Sequence, residues 1–434
     1  MYERFVDLNF LDDDHILYVE NDKIRLGVNL ALGGAITYLA EHGKKNLINS
    51  YDWGRQVQLS FYGLPRPYCP EGVEISADWA HASWNPISCG DAFGNRSEML
   101  EYSSTEDSVY VCCRPKLWPL NNVPAECTFE TWYKLVDNQV EVTSRINNAR
   151  SDTTRYPATG QELPAVYTNG EWWKAVSYVG NAPCTGDALT VPYTLDGDCW
   201  PPRRLQATEH WSALVDHNDY GLGIWMPTST QFGTGSYESD GTGGPKDNPT
   251  AYISPHHEDI LDHNIQYSFD YALIVGTVEN IRAAAVAREK ARTDLYSWCF
   301  DGNRGHFWYR GITDAGIPEK NGYLDFDFAA GNALVAPPQH IPANKTRLVL
   351  DAAITGDVTV KVHRDVYSGV FINNKNRGIP TPEPTVTVSA GGKLTSEGER
   401  KEHILSLGLP VNSIGFEVEF CGEGHARIYG IRVE

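Results

Sequence analysis

Short runs of alternating apolar and polar residues, separated by turn residues, fill most of the chain and constrain its fold more than any other feature. Residues 16–29 (ILYVENDKIRLGVN) alternate in this way around a turn at Asn21-Asp22. A period of two places successive side chains on opposite faces of a β-strand. Comparable runs occur at 107–114, 126–135, 139–146, 211–215, 220–226 and 265–275. The pattern therefore predicts an all-β protein.

One segment departs from this pattern. Residues 277–292 (TVENIRAAAVAREKAR) open with Thr277, a residue type that favours the N-cap, and end with a cluster of cations that favours a helix C-terminus. We expect a single short helix there. Strand patterns resume from about residue 300. The chain is thus predicted to form a large first domain over 1–295 and a smaller β-sandwich, of the jelly-roll type, over 296–434.

Charge excludes two classes of partner. The 434 residues include 36 Lys and Arg against 56 Asp and Glu, which gives a net charge of −20. Nucleic acids and anionic membrane surfaces both need a basic footprint, so neither is expected as a partner. No apolar stretch approaches the roughly 20 residues that span a bilayer. The start of the sequence shows no leader pattern.

Cysteine usage bears on the compartment. Nine cysteines occur without a CxxC pair, which favours free thiols in a reducing compartment. We therefore expect a cytoplasmic protein, with a secreted or periplasmic mature form, its signal removed, as the alternative.

The chain is rich in aromatic residues, with 12 Trp and 23 Tyr. These side chains combine flat apolar faces with a polar group, which suits stacking on sugar rings. Large β-sandwiches also use aromatic residues to fill their cores, so composition alone leaves both roles open.

A family resemblance strengthens the carbohydrate interpretation. Residues 22–63 (DKIRLGVNLALGGAITYLAEHGKKNLINSYDWGRQVQLSFYG) resemble the start of galactose-mutarotase-like domains, in which two early strands carry a Gly-Gly turn followed by a phrase close to NLIN. The resemblance implies a large antiparallel β-supersandwich, a fold shared by sugar epimerases, several polysaccharide lyases and domains of some glycosidases. Phrases such as YPATGQELPAVYTNG and ISPHHEDILDHN resemble a group of bacterial and fungal carbohydrate-associated proteins.

Several common catalytic motifs are missing from the sequence. There is no GxSxG, no P-loop and no dinucleotide-binding GxGxxG. Serine-hydrolase, nucleotide and hydride chemistry are therefore disfavoured. We expect no cofactor.

Polar residues on one predicted strand are candidates for binding sugar hydroxyls. Alternation over 55–62 places Gln56, Gln58, Ser60 and Tyr62 on one face, opposite an apolar face. An exposed sheet face would look the same. Asp52 and Arg55 precede this strand, where Arg55 either clamps a ligand or pairs with Asp52. Other candidates for sugar contacts are Trp84, Asn85, Asn95, Arg96, Gln161, Tyr167 and Trp172.

Carboxylates in two further segments are candidates for acid–base chemistry. Glu126 and Glu130 share a strand face with Thr128 between them, and alternate residues on one face lie about 7 Å apart. A solvated outer face is the alternative. Glu162 stands alone in an apolar context, where desolvation would favour a general acid. A capping or salt-bridge role is the alternative there.

The segment SPHHEDILDH (254–263) combines imidazoles with carboxylates. It does not match HExxH, so metal binding through His257, Glu258 and His263 is the weaker interpretation. An acid–base pair formed by His257 and Glu258 is the stronger one, and a polar loop is the third. We predict no metal.

Together these features predict a carbohydrate-active enzyme that cleaves a glycosidic bond, namely a glycoside hydrolase using paired carboxylates. The alternatives are a polysaccharide lyase or an aldose epimerase on the same fold, and a non-catalytic carbohydrate-binding protein. The resemblance implies an active-site histidine for an epimerase, and no histidine matches that stage of the sequence. The acidic net charge favours a neutral oligo- or polysaccharide as the ligand.

Overall fold

The computed structural model describes residues 13–190, 202–239, 241–293, 295–314, 321–356, 358–366 and 387–434. The first eighteen strands precede the helix: β1 (Ile16–Glu20), β2 (Ile24–Asn29), β3 (Ala35–Glu41), β4 (Val57–Ser60), β5 (Pro86–Ile87), β6 (Glu98–Ser104), β7 (Ser108–Arg114), β8 (Lys116–Leu117), β9 (Cys127–Val136), β10 (Gln139–Asn148), β11 (Thr159–Asn169), β12 (Lys174–Ser177), β13 (Arg203–Gln206), β14 (Trp211–Val215), β15 (Tyr220–Trp225), β16 (Gln231–Tyr237), β17 (Thr250–Asp259) and β18 (Gln266–Thr277).

After the helix α1 (Val278–Ala291) the strands are shorter on average: β19 (Ser297–Cys299), β20 (Trp308–Arg310), β21 (Leu324–Phe328), β22 (Ala333–Val335), β23 (His340–Ile341), β24 (Arg347–Thr355), β25 (Val358–Val366), β26 (Thr387–Leu394), β27 (Arg400–Ser406), β28 (Ser413–Phe420) and β29 (Gly424–Val433). Three short 3₁₀ turns lie at Asp13–His15, Leu30–Leu32 and Ala77–Trp79. The prediction of an all-β fold is confirmed.

The strands before α1 form two large antiparallel sheets. A ten-stranded sheet has the order β1-β2-β3-β4-β11-β17-β16-β13, with β5 and β8 attached beside β4. An eight-stranded sheet has the order β12-β14-β15-β18-β10-β9-β7-β6. Phe61, next to β4, contacts Phe129 and Phe269 of the eight-stranded sheet at ring-centroid distances of 4.9 and 6.2 Å. The two sheets therefore pack face to face, as the predicted supersandwich requires.

The strands after α1 form a second, smaller sandwich. A five-stranded sheet (β19-β29-β24-β27, with β21 on β29) faces a six-stranded sheet (β20-β22-β28-β25-β26, with β23 on β28). The rings of Phe328 and Phe420 stack between them at 4.2 Å. The proposed domain boundary at residue 295 lies in the connection between α1 and β19.

The helix α1 begins and ends close to where the sequence predicts. The Thr277 hydroxyl accepts a hydrogen bond from the Asn280 amide, and Arg288 and Lys290 lie in the last turn. No helix among the described residues has the length and apolarity needed to span a membrane. The eight described cysteines are unpaired. The ninth cysteine, Cys199, lies outside the described residues.

A bulge in β11 determines which side chains face away from the core. Glu162 pairs with His256 of β17, whereas Val166 pairs with Ile253, so β11 has one residue more than β17 over this interval. Pro164 lies within the interval, and proline inside a strand is typical of a bulge because it cannot donate a ladder hydrogen bond. The extra residue brings Glu162 and Tyr167 onto the same side of the sheet.

Candidate functional site

The ten-stranded sheet has one face against the core and a second face that we call the open face. Register assigns to it a set of polar, aromatic and glycine residues from four adjacent strands. These residues are Gln58 and Ser60 of β4, Glu162 and Tyr167 of β11, Tyr252, Ser254, His256 and Glu258 of β17, and Gln231, Gly233, Gly235 and Tyr237 of β16. From Tyr252 to Glu258 the open face extends about 20 Å along β17.

Glu162 lies at the centre of the open face and is half-buried. Its Oε2 accepts hydrogen bonds from the hydroxyl of Tyr252 at 2.9 Å and from that of Tyr62 at 3.4 Å. No described residue donates a hydrogen bond to its other oxygen, Oε1. One oxygen is thus held by the protein while the other is available to a ligand.

Three tyrosines lie around Glu162, and two of them, Tyr62 and Tyr252, donate hydrogen bonds to it. Burial raises the pKa of Tyr62, Tyr167 and Tyr252 above the ordinary tyrosine value, and the negative charge of Glu162 raises it further. The rings of Tyr167 and Tyr252 contact each other at a centroid distance of 4.9 Å. All three phenols stay protonated at neutral pH, so Tyr62 and Tyr252 position Glu162 rather than compete with it as bases.

His256 and Glu258 lie next to Glu162. His256 is the direct cross-strand partner of Glu162, and Glu258 is the partner of Gly160, two residues further along β17. The His256 Nε2 lies 3.8 Å from the nearer Glu258 oxygen and has no hydrogen-bond partner among the described residues. A Cβ atom at Gly160 would lie 2.8 Å from the His256 ring and 3.2 Å from the Glu258 carboxylate. Glycine at this position therefore lets the imidazole and the carboxylate approach each other.

The turn that carries Asp52 and Arg55 lies at one end of the open face. Asp52 pairs with Arg55 at 3.0 Å, and Arg55 also donates to the backbone oxygen of Asn248 at 2.5 Å. Burial raises the pKa of Asp52, while the Arg55 guanidinium opposes the rise. The Arg55 guanidinium lies 5.6 Å from the ring of Tyr237. Arg55 therefore borders the open face but is already paired within the protein.

Gln56 and Gln58 support this turn. Their side-chain amides each donate a 2.7 Å hydrogen bond, to the backbone oxygens of Asp52 and Gly54 respectively. Both side chains are buried, although their Oε1 atoms have no partner among the described residues. The predicted polar face of β4 is present, and its observed hydrogen bonds hold the turn that carries Asp52 and Arg55.

Gln161 points to the opposite side of β11 from Glu162. Its side chain exchanges two hydrogen bonds with the backbone of Tyr62, at 2.9 and 2.6 Å. These bonds hold Tyr62 beside Glu162, so Gln161 positions the Tyr62 side chain from the core side of the sheet. Tyr167, in contrast, lies on the open face itself.

A cleft of about 600 Å³ opens where this face meets the smaller sandwich. His256, Glu258 and Gln231 line it from the ten-stranded sheet. Trp308, Arg310 and several carboxylates line it from the strands after α1. Glu162 is outside the lining but adjoins it through His256. The described residues thus combine a carboxylate centre with a space large enough for an organic ligand.

No family model and no curated protein sequence matches the chain. Among solved structures, a galactose mutarotase-like protein from Lactobacillus casei is 12% identical, with 60% of this chain and 99% of that chain covered and a TM-score of 0.38. A galactose mutarotase related enzyme from Lactobacillus acidophilus is also 12% identical, covering 60% and 97%, with a TM-score of 0.37.

A larger enzyme is similar in part. The alpha-galactosidase from Lactobacillus brevis is 9% identical, and the match covers 60% of this chain but 39% of that chain, with a TM-score of 0.34. Likenesses at these identities and TM-scores carry no information about the chemistry of this chain.

Glu126 and Glu130 do not lie with Glu162. Glu126 directly precedes β9 and Glu130 lies on it. Both alternate with Cys127 and Phe129, which face the core, so they point to the outer side of the eight-stranded sheet. The Glu130 carboxylate accepts hydrogen bonds from Tyr110 at 3.1 Å and from the amide of Asn147 at 2.7 Å. The structure therefore does not join either carboxylate to Glu162 as the second member of a catalytic pair.

Other predicted sugar contacts are buried or have partners within the protein. Trp84 is 2% exposed and packs under the guanidinium of Arg150 at 4.4 Å. Trp172 is 4% exposed and belongs to the main core. Three more residues have structural partners: Asn85 donates to Phe61 O, Asn95 donates to Asp91 and Asn121, and Arg96 forms a β-bridge with Gly90.

His257 is directed towards Tyr267 and Asp259 rather than towards Glu258, although it also lines the cleft. Its Nε2 lies 2.7 Å from the Tyr267 hydroxyl and 3.1 Å from Asp259. It does not converge with Glu258 or His263 on a metal-binding geometry. Among the described residues, His363, Glu417 and Glu419 alone bring three ligand atoms within 4.8 Å of one another. Arg310 already pairs with Glu417 at 2.6 Å and Lys361 with Glu419 at 3.5 Å, so cations of the protein occupy this cluster.

Sequence reasoning missed His256 and Tyr252. Both were visible in principle, because they share parity with Glu258 on one strand and therefore its face. The choice of His257 rested on its nearness to Glu258 in sequence, whereas adjacent strand residues point in opposite directions.

Proposed function

We propose that the chain is a glycoside hydrolase in which Glu162 and Glu258 are the two catalytic carboxylates. The observation that carries this proposal is that the register places Glu162, His256 and Glu258 together on the open face, beside the cleft. Glu162 and Glu258 are diagonal cross-strand neighbours, whose Cβ atoms lie about 7 Å apart. Carboxylate separations of about 5 Å serve retaining glycosidases and larger ones inverting glycosidases, and both are within reach of these side chains.

The roles follow from the partners of each group. Glu162, fixed through Oε2 by two tyrosines, presents Oε1 and donates its proton to the leaving oxygen. Glu258 either takes a proton from the attacking water or attacks the anomeric carbon itself. His256, 3.8 Å from Glu258, shares that proton or supports the charge of the carboxylate.

Product analysis on a panel of neutral oligo- and polysaccharides tests the proposal. The wild-type protein is expected to release new reducing ends from at least one member. Glu162→Gln and Glu258→Gln should each lower kcat by about 100-fold or more, since each removes an acid–base group. Glu130→Gln is the matched control, because Glu130 lies on the outer face of the other sheet. Loss of activity in Glu130→Gln with full activity in Glu162→Gln would show that the site is misplaced.

His256 favours a second candidate, an aldose epimerase. A carboxylate and an imidazole at directly opposed cross-strand positions form the acid–base pair that proton transfer at an anomeric centre requires. The expected signature is faster interconversion of sugar anomers, followed by polarimetry or NMR, with no new reducing ends. Under this mechanism His256→Gln abolishes the exchange, whereas Glu258→Gln retains most of it.

A further inference from the structure

The cleft has two walls, and each comes from a different part of the chain. The ten-stranded sheet contributes Gln231, His256 and Glu258, and the smaller sandwich contributes Trp308 of β20 and Glu417 of β28. Of the proposed catalytic groups, His256 and Glu258 lie on the first wall, Glu162 adjoins that wall through His256, and none lies on the second wall. The second wall therefore has a surface that faces the catalytic centre and that catalysis itself does not require.

The second wall has the chemistry of a sugar-binding surface. Trp308 is half-buried and alternates along β20 with the fully buried Tyr309, so its ring is directed away from the core of the small sandwich. An aromatic ring presented in this way suits the apolar face of a pyranose. Beside it, the Arg310 guanidinium donates two hydrogen bonds to the Glu417 carboxylate, at 2.9 and 2.6 Å. Such a pair fixes both donors and acceptors at defined positions for hydroxyl groups.

The first wall carries polar side-chain groups that have no hydrogen-bond partner among the described residues. Gln231 makes no side-chain hydrogen bond to a described residue, and the buried His256 Nε2 has no hydrogen-bond partner among them. Buried polar atoms of this kind favour a bound ligand that supplies the missing partner.

The charges of the lining restrict the ligand. The described lining contains two guanidinium groups, Arg204 and Arg310, against four carboxylates. The carboxylates are Glu258, Asp365, Glu417 and Glu419. An excess of negative charge repels a polyuronate or a sulfated glycan, and a neutral sugar carries no such penalty.

We propose that the smaller sandwich supplies a substrate subsite, so that the cleft binds a neutral oligosaccharide with one unit at Glu162 and Glu258 and further units against Trp308 and the Arg310–Glu417 pair. This proposal rests on the proposed function for the identity of the catalytic end. In addition, the strands after α1 determine how affinity depends on the length of the substrate.

Calorimetric titration of the full-length Glu162→Gln protein with neutral oligosaccharides of two to six units, drawn from glycans that the wild type cleaves or binds, tests the subsite without turnover. Affinity is expected to rise with chain length. Trp308→Ala in the same background should weaken binding of the longest member by about tenfold or more and remove the dependence on length. Trp308→Phe, which keeps a ring, should retain most of the affinity.

Trp132→Ala is the matched control, because Trp132 is also half-buried but lies on the outer side of the eight-stranded sheet. It should leave the length dependence intact. The subsite is refuted if affinity does not change with length, if Trp308→Ala binds as tightly as its parent, if no neutral oligosaccharide binds, or if a polyuronate of equal length binds more tightly. Length-dependent binding that needs Trp308, together with a wild type that cleaves nothing, would reject the hydrolase and retain the subsite.

Discussion

Tyr252 and Tyr110 make the same kind of hydrogen bond in two different places. Tyr252 donates to Glu162 on the open face at 2.9 Å, and Tyr110 donates to Glu130 on the outer face of the other sheet at 3.1 Å. In both cases burial raises the pKa of the phenol, with the paired glutamate adding to the rise. Each residue therefore loses one hydrogen bond to a carboxylate when it is replaced by phenylalanine.

Only one of these losses should affect catalysis. Tyr252→Phe is expected to lower kcat/KM by about three- to tenfold, because a hydrogen bond to a neutral carboxylic acid is worth about 0.5–1.5 kcal/mol and Glu162 would lose one of the two bonds that orient it. Tyr110→Phe should leave kcat/KM unchanged. Steady-state kinetics of both variants on a cleaved substrate provide the comparison. Equal effects would mean that the tyrosines contribute to stability alone.

A buried ion pair links α1 to the connection that precedes β14 of the eight-stranded sheet. Arg282 contacts the Glu209 carboxylate through two nitrogens at 3.0 and 3.1 Å. Glu209 is 3% exposed and also accepts from Trp211 Nε1 at 2.6 Å and from the Cys184 amide at 2.9 Å. Both oxygens of the Glu209 carboxylate accept hydrogen bonds. Its buried negative charge is compensated by the Arg282 guanidinium.

Arg282→Met should lower the free energy of unfolding by about 3–5 kcal/mol, because it leaves the buried Glu209 charge uncompensated. Arg145→Met is the control: Arg145 is 37% exposed and 3.7 Å from Glu130, so its loss should cost less than about 1 kcal/mol. Denaturant unfolding of the three proteins measures both values. A cost for Arg282→Met no larger than that of the control would contradict this account of α1.

Strand alternation explains how much of the elements and the site could be predicted. Period-two patterns predict β1 and β2 correctly, and cap chemistry predicts α1. Glu162 could be found because it is an isolated charge in an apolar strand. The outer position of Glu130 could not, since alternation shows that two faces differ but not which of them meets another sheet. Pairing between β11 and β17, which are separated by about 80 residues of sequence, also lies beyond local patterns.

The two sandwiches share a continuous set of buried side chains that includes Phe269 and Phe307. Asp262 lies in the first part of the chain, is 4% exposed, and accepts hydrogen bonds from the Tyr156 amide. Burial raises the pKa of Asp262 to about 6, and Arg304 and Asp314 from the second part act on it in opposite directions. The charge of Asp262 is therefore sensitive to how the two parts are assembled.

This shift predicts a pH dependence of stability. The folded pKa of about 6 lies above the ordinary value of 3.8, so the protonated form is favoured by folding. The stabilising contribution is present in full below about pH 4 and is lost as the pH rises through 6, at most about 3 kcal/mol in total.

Asp262→Asn should remove that contribution to the pH dependence. Denaturant unfolding at pH 4, 5, 6 and 7 is expected to show wild-type stability falling relative to the variant across this interval. Asp301→Asn, at an exposed position, should follow the wild type throughout. Parallel profiles for wild type and Asp262→Asn would show that Asp262 ionises without cost in the folded state.

The bulge between Glu162 and Val166 has a consequence for how this segment can vary. Because one extra residue resets the alternation, Glu162 and Tyr167 face the same side although five positions separate them. Removing one residue there would turn either the carboxylate or the aromatic side chain into the core, while a substitution of similar size would disturb neither direction. The segment thus accepts changes of residue but not of length, and its length is as much a determinant of the site as the identity of Glu162.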